Sequence, residues 1–172
     1  MVFLLILLFV FILLLLAFIV GCLTILFSDL FLDLPYVGAN NKRIETILKF
    51  ANPKKGKIVM DLGSGDGRLL ISCAKKGAVA IGYELNPLMY WFSKFKTRKF
   101  SKNIKIIRQN FWQANLKETN VIFVYSLKKY MQKFEDLIYK NAKKGTRVIV
   151  NTNPFPNRKP IKKEDGVFLY KV

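Results

Sequence analysis

The chain has 172 residues, with 29 Lys and Arg against 11 Asp and Glu, a net charge of +18 and no histidine. The missing histidine excludes Ser-His-Asp and Cys-His catalysis as well as histidine-ligated metals, so no metal site is expected. Cys22 and Cys73 make neither a disulfide framework nor a zinc spacing.

Residues 1–27 carry no charge and are almost wholly Leu, Ile, Phe and Val. At about 1.5 Å per residue such a helix spans roughly 39 Å, enough to cross a hydrocarbon core of about 30 Å. The apolar run exceeds the ~7–15 residues of a signal-peptide core, and no Lys or Arg precedes it. Ile19-Val20-Gly21-Cys22 has the form of a lipobox, but Leu23 to Phe27 stays apolar beyond the cysteine, so Cys22 reads as an ordinary helix residue. We therefore expect a transmembrane anchor over 1–28, a juxtamembrane connector over 29–41 and one soluble domain over 42–172. All 29 basic residues and 9 of the 11 acids lie in that last part. The positive-inside rule then places the domain on the cytoplasmic side. Its charge fits a solvated surface, an anionic membrane surface or a nucleic acid, and the anchor favours the membrane.

Pro35 ends any helix in the connector, since proline lacks the N–H that a helix interior needs. An Asn cap at 40–41 opens a helix with Ile44, Ile47, Leu48 and Ala51 on one face, closed by Asn52-Pro53 and Gly56. The apolar run Ile58-Val59-Met60 then leads into Asp61-Leu-Gly-Ser-Gly-Asp-Gly-Arg68. That is strand, glycine turn, helix. Gly63, Gly65 and Gly67 let the backbone turn sharply and let a ligand approach where a Cβ would collide. The spacing is neither the G-x-G-x-x-G of a dinucleotide fold nor a P-loop. Asp61 at the strand end would repel a pyrophosphate and suits a cation. S-adenosylmethionine, with a sulfonium, an ammonium and a ribose but no phosphate, is the expected cofactor.

The helix after Arg68 stops at Gly77, and a strand over 78–84 ends on Glu84, placed to hold ribose hydroxyls. Asn86-Pro87 opens a third helix of the domain. Its Leu88, Trp91, Phe92 and Phe95 recur at helical spacing and are expected in the core, with Lys94, Lys96, Arg98 and Lys99 outside. Strands follow over 103–110, 119–125 and 146–151, with a helix over 128–142 ahead of the last. Asp165-Gly166 then turns a hairpin between 160–164 and 167–172. The alternation predicts an α/β, Rossmann-like, doubly wound and mostly parallel seven-stranded sheet with a C-terminal antiparallel hairpin.

With those residues placed, the chain resembles the class I, seven-strand S-adenosylmethionine-dependent methyltransferases. Within them it is similar to the protein-lysine methyltransferases of the ATP synthase c-subunit and the adenine nucleotide translocator, and to their short archaeal relatives. The resemblance rests on Pro35-Tyr36-Val37, the 61–68 turn, Gly82-Tyr-Glu-Leu-Asn-Pro87, Asn110-Phe-Trp112, Gly145-Thr-Arg-Val-Ile149 and Pro154-Phe-Pro156. It implies that Asp61, Gly63, Ser64, Gly65 and Gly67 border the methionine part of the cofactor, that Glu84 takes the ribose and that Asn110 and Phe111 flank the adenine. Tyr36 and Tyr125 would line the mouth for a target lysine, with Tyr125 orienting the amine. Relatives follow Pro-Tyr-Val with proline and a hydroxyl residue. Here Gly38-Ala39-Asn40 stands instead, leaving Asn40 or Asn41 to replace that hydroxyl. Asn153-Pro-Phe-Pro156 follows the fifth strand, not the fourth, so it reads as a pocket loop and not as a base-gripping motif. The resemblance implies a membrane-anchored protein-lysine N-methyltransferase acting on a membrane protein. RNA or phospholipid methylation, or cofactor binding without catalysis, are the alternatives.

Overall fold

A computed structural model describes the backbone of residues 2–32 and 41–172, and side chains within 2–24 and 42–172. The chain divides into two units, Met1–Tyr36 and Val37–Val172. The first holds helix α1, Val2–Leu32. Its stretch Val2–Thr24 is long and apolar enough to cross a membrane by length and composition. Leu, Ile, Phe and Val side chains are exposed all round it, so it has no polar side to turn toward water.

The second unit is a seven-stranded sheet in the order β3-β2-β1-β4-β5-β7-β6. Its elements are α2 (Asn41–Ala51), β1 (Ile58–Leu62), α3 (Arg68–Lys75), β2 (Val79–Tyr83), α4 (Pro87–Thr97), β3 (Ile104–Ile107), β4 (Val121–Tyr125), α5 (Met131–Asn141), β5 (Arg147–Asn151), β6 (Lys162–Glu164) and β7 (Val167–Lys171). Strands β1 to β5 run parallel, and β7 lies antiparallel between β5 and β6. β4 reads Val-Ile-Phe-Val-Tyr with four of its five residues buried, the pattern of a strand covered on both faces. One core joins Phe50 of α2 and Leu70 and Cys73 of α3 to Val59, Phe123 and Ile149 of the sheet. Phe134 and Ile138 of α5 are fully buried as well.

The local signals act as expected. Asn86 accepts hydrogen bonds from the Leu88 and Met89 amides, capping α4 behind Pro87. Asp165 and Gly166 both take positive φ (51° and 74°), as the two central residues of a tight hairpin turn do. The Asp165 carboxylate also pairs with Lys42 (2.9 Å) and accepts from the Thr46 hydroxyl (2.8 Å), tying α2 to the hairpin. Strand β3 is shorter than 103–110, because the chain leaves it to form a 3-10 turn over 111–113, capped by Asn110, whose side chain accepts from the Trp112 amide.

One expectation is overturned. Trp91, Phe92 and Phe95 are not core: they are 62%, 53% and 65% exposed, and Leu88 is exposed too. The face of α4 that turns inward carries Ser93 and Thr97. The cause is close approach. A Cβ at Gly67 would stand 2.9 Å from Thr97 Cγ2 and 3.6 Å from Ser93 Cβ. Large side chains at 93 and 97 would push α4 off the glycine turn, so small residues stand there, Tyr90 packs at the edge of the core, and Trp91, Phe92 and Phe95 go out.

Trp91→Ala should therefore shift unfolding free energy by no more than about 0.5 kcal/mol, the range of surface substitutions. Ser93→Leu should cost about 1–3 kcal/mol by overpacking. Denaturant unfolding of the detergent-solubilised chain measures both, and a loss of about 3 kcal/mol or more for Trp91→Ala would restore the aromatic-inward orientation.

Candidate active site

The parallel strands bring their carboxyl ends to one edge of the sheet. The order reverses at β1, which lies between β2 and β4, and ligands of open α/β sheets bind at such a switch point. Asp61 and Gly63 come from the end of β1, Glu84 from the end of β2, Asn110 from beyond β3 and Tyr125 from the end of β4. Asn110 and Tyr125, which lie 49 and 64 positions after Asp61, thereby share one edge with it.

The turn after β1 is held by its own backbone. The Gly63 and Ser64 amides both donate to the Tyr83 carbonyl (3.1 and 2.9 Å), and the Gly67 amide donates to the Ser64 carbonyl (2.9 Å). Gly63, Gly65 and Gly67 all have positive φ (112°, 53° and 76°), which L side chains rarely adopt. A Cβ at Gly63 would meet nothing within 4 Å, so open space lies beside the turn where a side chain would intrude. Ser64 is buried, and its side chain lies against Gly82: a Cβ at Gly82 would stand 2.5 Å from Ser64 Oγ. The turn thus directs backbone, not the Ser64 hydroxyl, toward the open side.

Glu84 joins the glycine turn after β1 to the turn that opens α4. One carboxylate oxygen accepts from the Gly65 amide (2.9 Å) and the other from the Asn86 amide (2.9 Å). An ionised carboxylate offers about four acceptor sites over its two oxygens, the chemistry that hydroxyl donors need. Asp61 is half-buried in β1, its neighbours in register being Gly82 and Phe123. Burial, followed by the charges of Glu84 and Asp66, pushes its carboxyl up to about 8. Burial thus disfavours its ionised form, which a cation bound beside it would favour. Asp66, which the motif reading left without a role, is buried. Burial opposes its ionised form, but hydrogen bonds from Arg68 and Lys96 outweigh this and hold it below the usual carboxylate range. It locks the start of α3 to α4.

Asn110 is half-buried, and Phe111 packs into an aromatic cluster with Trp112 and Phe134, at ring-centre distances of 4.8 and 5.3 Å. Phe111 is buried, so its side chain supports the wall more than it faces the opening. Tyr125 is half-buried and pairs in register with Asn151. Next to it stands a residue that sequence reading passed over. Ser126 is buried with no hydrogen-bond partner for its hydroxyl, while its carbonyl accepts from Asn153 Nδ2 (2.8 Å). That bond holds the 153–156 loop against the end of β4. No sequence signal marks Ser126, since a lone serine after a strand is common. Cys73 is no nucleophile: burial, then the Asp61 charge, pushes its thiol up to about 12. Tyr36 and Asn40 lie outside the described residues, as does the side chain of Asn41.

The arrangement fits S-adenosylmethionine. It offers an acid whose ionised form a cation would favour, an anchored acid for hydroxyls and an open glycine cradle. No phosphate-binding spacing is present in the turn.

The fold agrees with that of an RNA methyltransferase from Salinibacter ruber solved with S-adenosyl-L-homocysteine, at a TM-score of 0.74 and 22% identity over 78% of this chain and 93% of that one. The human ATP synthase c-subunit lysine N-methyltransferase is 33% identical over 129 residues, 74% of this chain and 55% of that protein. Mouse adenine nucleotide translocase lysine N-methyltransferase is 31% identical over 148 residues, 82% of this chain and 64% of that protein. A protein-lysine N-methyltransferase of Saccharolobus islandicus is 29% identical over 150 residues, 80% of this chain and 93% of that protein. The chain spans about half the length of the ATP synthase-directed relatives it matches first. The family described as the ANTKMT methyltransferase domain matches residues 61–162, more than half of the chain. Turn, sheet order and sequence converge, and this chain belongs to the ANTKMT methyltransferase family.

Proposed function

We propose that this chain is a membrane-anchored, S-adenosylmethionine-dependent protein-lysine N-methyltransferase whose target is a membrane protein. The observation that carries the reading is the carboxylate pair at the switch point, Asp61 with its ionised form disfavoured by burial and Glu84 fixed by two amides. The relatives named for methylating lysine on the ATP synthase c-subunit and on adenine nucleotide translocase support the target chemistry. The apolar helix α1 supports the anchor. The basic residues that begin at Lys42 support a domain on the cytoplasmic side.

In this reading Asp61 holds the ammonium of the cofactor and Glu84 accepts from its ribose hydroxyls. The backbone at Gly63, Gly65 and Gly67 leaves room for the methionine part, with Ser64 bracing the turn from behind. Asn110 and Phe111 border the adenine, and Tyr36 stands at the mouth. When bound, S-adenosylmethionine supplies a methyl group already activated on a sulfonium. The protein's task is alignment and exclusion of water. A lysine target must arrive neutral, and a dry entrance beside Tyr125 disfavours its charged form. Tyr125 orients the amine through its hydroxyl.

Incubating detergent-solubilised full-length protein and source-cell membranes with labelled cofactor should place label in a protein that hydrolyses to methyl-lysine, with Asp61→Ala as the blank. Label in chloroform-soluble or RNase-sensitive material would instead assign the chemistry to lipid or RNA. No binding of the cofactor by calorimetry would remove the enzymatic reading.

The raised Asp61 carboxyl sets a pH dependence. Near neutral pH it is largely protonated in the free protein, and a bound ammonium favours its ionised form. Cofactor binding at pH 7 should therefore release close to one proton, and affinity should rise with pH until about 8 and level off above. Without ligand the sign is opposite: this group's contribution to folding is present below the ordinary 3.8 and is lost as pH rises through about 8. Calorimetry in buffers of different ionisation enthalpy reads the proton release, which Asp61→Asn should abolish.

Tyr125→Phe should lower kcat by roughly 10- to 100-fold, the scale of one aligned hydrogen bond, while leaving cofactor affinity intact. Unchanged turnover would take the hydroxyl out of the mechanism.

A further inference from the structure

Helix α4 faces the wrong way for an ordinary surface helix. Leu88, Trp91, Phe92 and Phe95 form one exposed apolar face, while the covered face is Ser93 and Thr97. Exposing three large aromatics on a single helix face is costly, and patches of this kind mark contact surfaces. The fringe is basic throughout. Lys94, Lys96, Arg98, Lys99 and Lys102 lie in 87–102, and that stretch contains no acid. The cations lean on the rings themselves. Lys94 Nζ is 5.5 Å from the Tyr90 ring centre and 5.8 Å from that of Trp91, Lys96 Nζ is 5.9 Å from Phe92, and the Arg98 guanidinium carbon is 4.0 Å from Phe95.

We propose that this face of α4 is a second membrane contact, seated in the headgroup region of an anionic bilayer, with Trp91, Phe92 and Phe95 inserted and Lys94, Arg98, Lys99 and Lys102 at the phosphates. Rings that reach the acyl boundary beside cations that reach headgroups match the two layers of a lipid interface. Apart from Lys96, which pairs with Asp66, this basic fringe is complementary to anionic lipid. Helix α1 of the same chain is apolar enough to span a bilayer, which makes lipid the partner at hand. This deepens, and rests on, the reading of α1 as an anchor.

The seating also bears on the substrate. The inward face of α4 lies on the Gly67 turn, and its first residues follow Glu84, whose carboxylate accepts from the Asn86 amide. A helix is about 10 Å thick. With α4 on the bilayer, the cofactor turn stands roughly one helix diameter above the headgroups. Lysines at the membrane boundary of a membrane protein come within reach there, in preference to lysines on distal soluble domains.

The test uses the full chain reconstituted into vesicles of phosphatidylcholine alone, or with about a third phosphatidylglycerol, with brominated acyl chains in both. The chain has two tryptophans, so the residual emission of Trp91→Phe reports Trp112 and intact folding. We expect bromine quenching severalfold stronger on the anionic vesicles, and its loss in Trp91→Phe. Equal quenching in wild type and variant, or none in either, overturns the proposal. Shielding of Trp91 from aqueous quenchers that grows with protein density but owes nothing to brominated lipid also overturns it, and assigns the face to a second copy of the chain. Retention of the chain on vesicles after an alkaline wash reports the anchor separately. Retention without quenching refutes α4 seating alone, whereas release from the vesicles refutes the anchor and this proposal together.

Discussion

The Glu84 carboxylate, bridged between the Gly65 and Asn86 amides, is the interaction on which the site depends. Those amides belong to two different turns, one after β1 and one after β2. Hydrogen bonds to an ionised group are stronger than neutral ones, and burial raises their worth further. One side chain thereby fixes the spacing between the β1 turn and the start of α4. The Tyr83 carbonyl, which accepts from Gly63 and Ser64, strengthens the same seam from the backbone side.

Asp61 and Asp66 sit a few residues apart and meet opposite fates. Asp66 is neutralised by Arg68 and Lys96, and so serves the fold. Asp61 lies near Glu84 and Asp66 and is pushed toward its protonated form. Structural acids are satisfied inside the protein. An acid that burial and its neighbours push toward its protonated form, at the switch point of the sheet, is a candidate for meeting its complement in a ligand. That contrast gives the glycine turn a chemical direction which its φ angles alone would not.

The α4 packing links the site to the surface. Because the glycine turn must be approached closely, α4 presents Ser93 and Thr97 to it, while Trp91, Phe92 and Phe95 face outward. The aromatic face is thus a consequence of how the turn is built. The same constraint acts at Gly82, where a Cβ would stand 2.6 Å from Leu70 Cδ1 and 2.7 Å from Ser64 Cβ. Small residues at 67, 82, 93 and 97 let three layers meet around the cofactor edge.

Much of this was legible in the order of residues. The run into Asp61, the alternate glycines, Glu84 at the next strand end, Asn86-Pro87 and Asp165-Gly166 are signals carried by neighbours within a few positions, and each formed the element it predicts. Alternation of strands and helices was enough for the parallel sheet and its antiparallel hairpin, because short right-handed crossovers leave few other topologies. What escaped were properties fixed by partners distant in the chain. Periodicity located the apolar face of α4 but not its direction, which Gly67 decides from more than twenty positions away. The acid whose ionised form a cation would favour, the acid already supplied with two, and the unpartnered Ser126 hydroxyl at the end of β4 look alike as letters. Sequence determined the elements and the edge where they converge, since local backbone preference and hydrophobic pattern act at short range. Tertiary structure alone decided which side chains face the ligand, the core or the solvent, since those depend on close approach and burial between segments that only folding brings together.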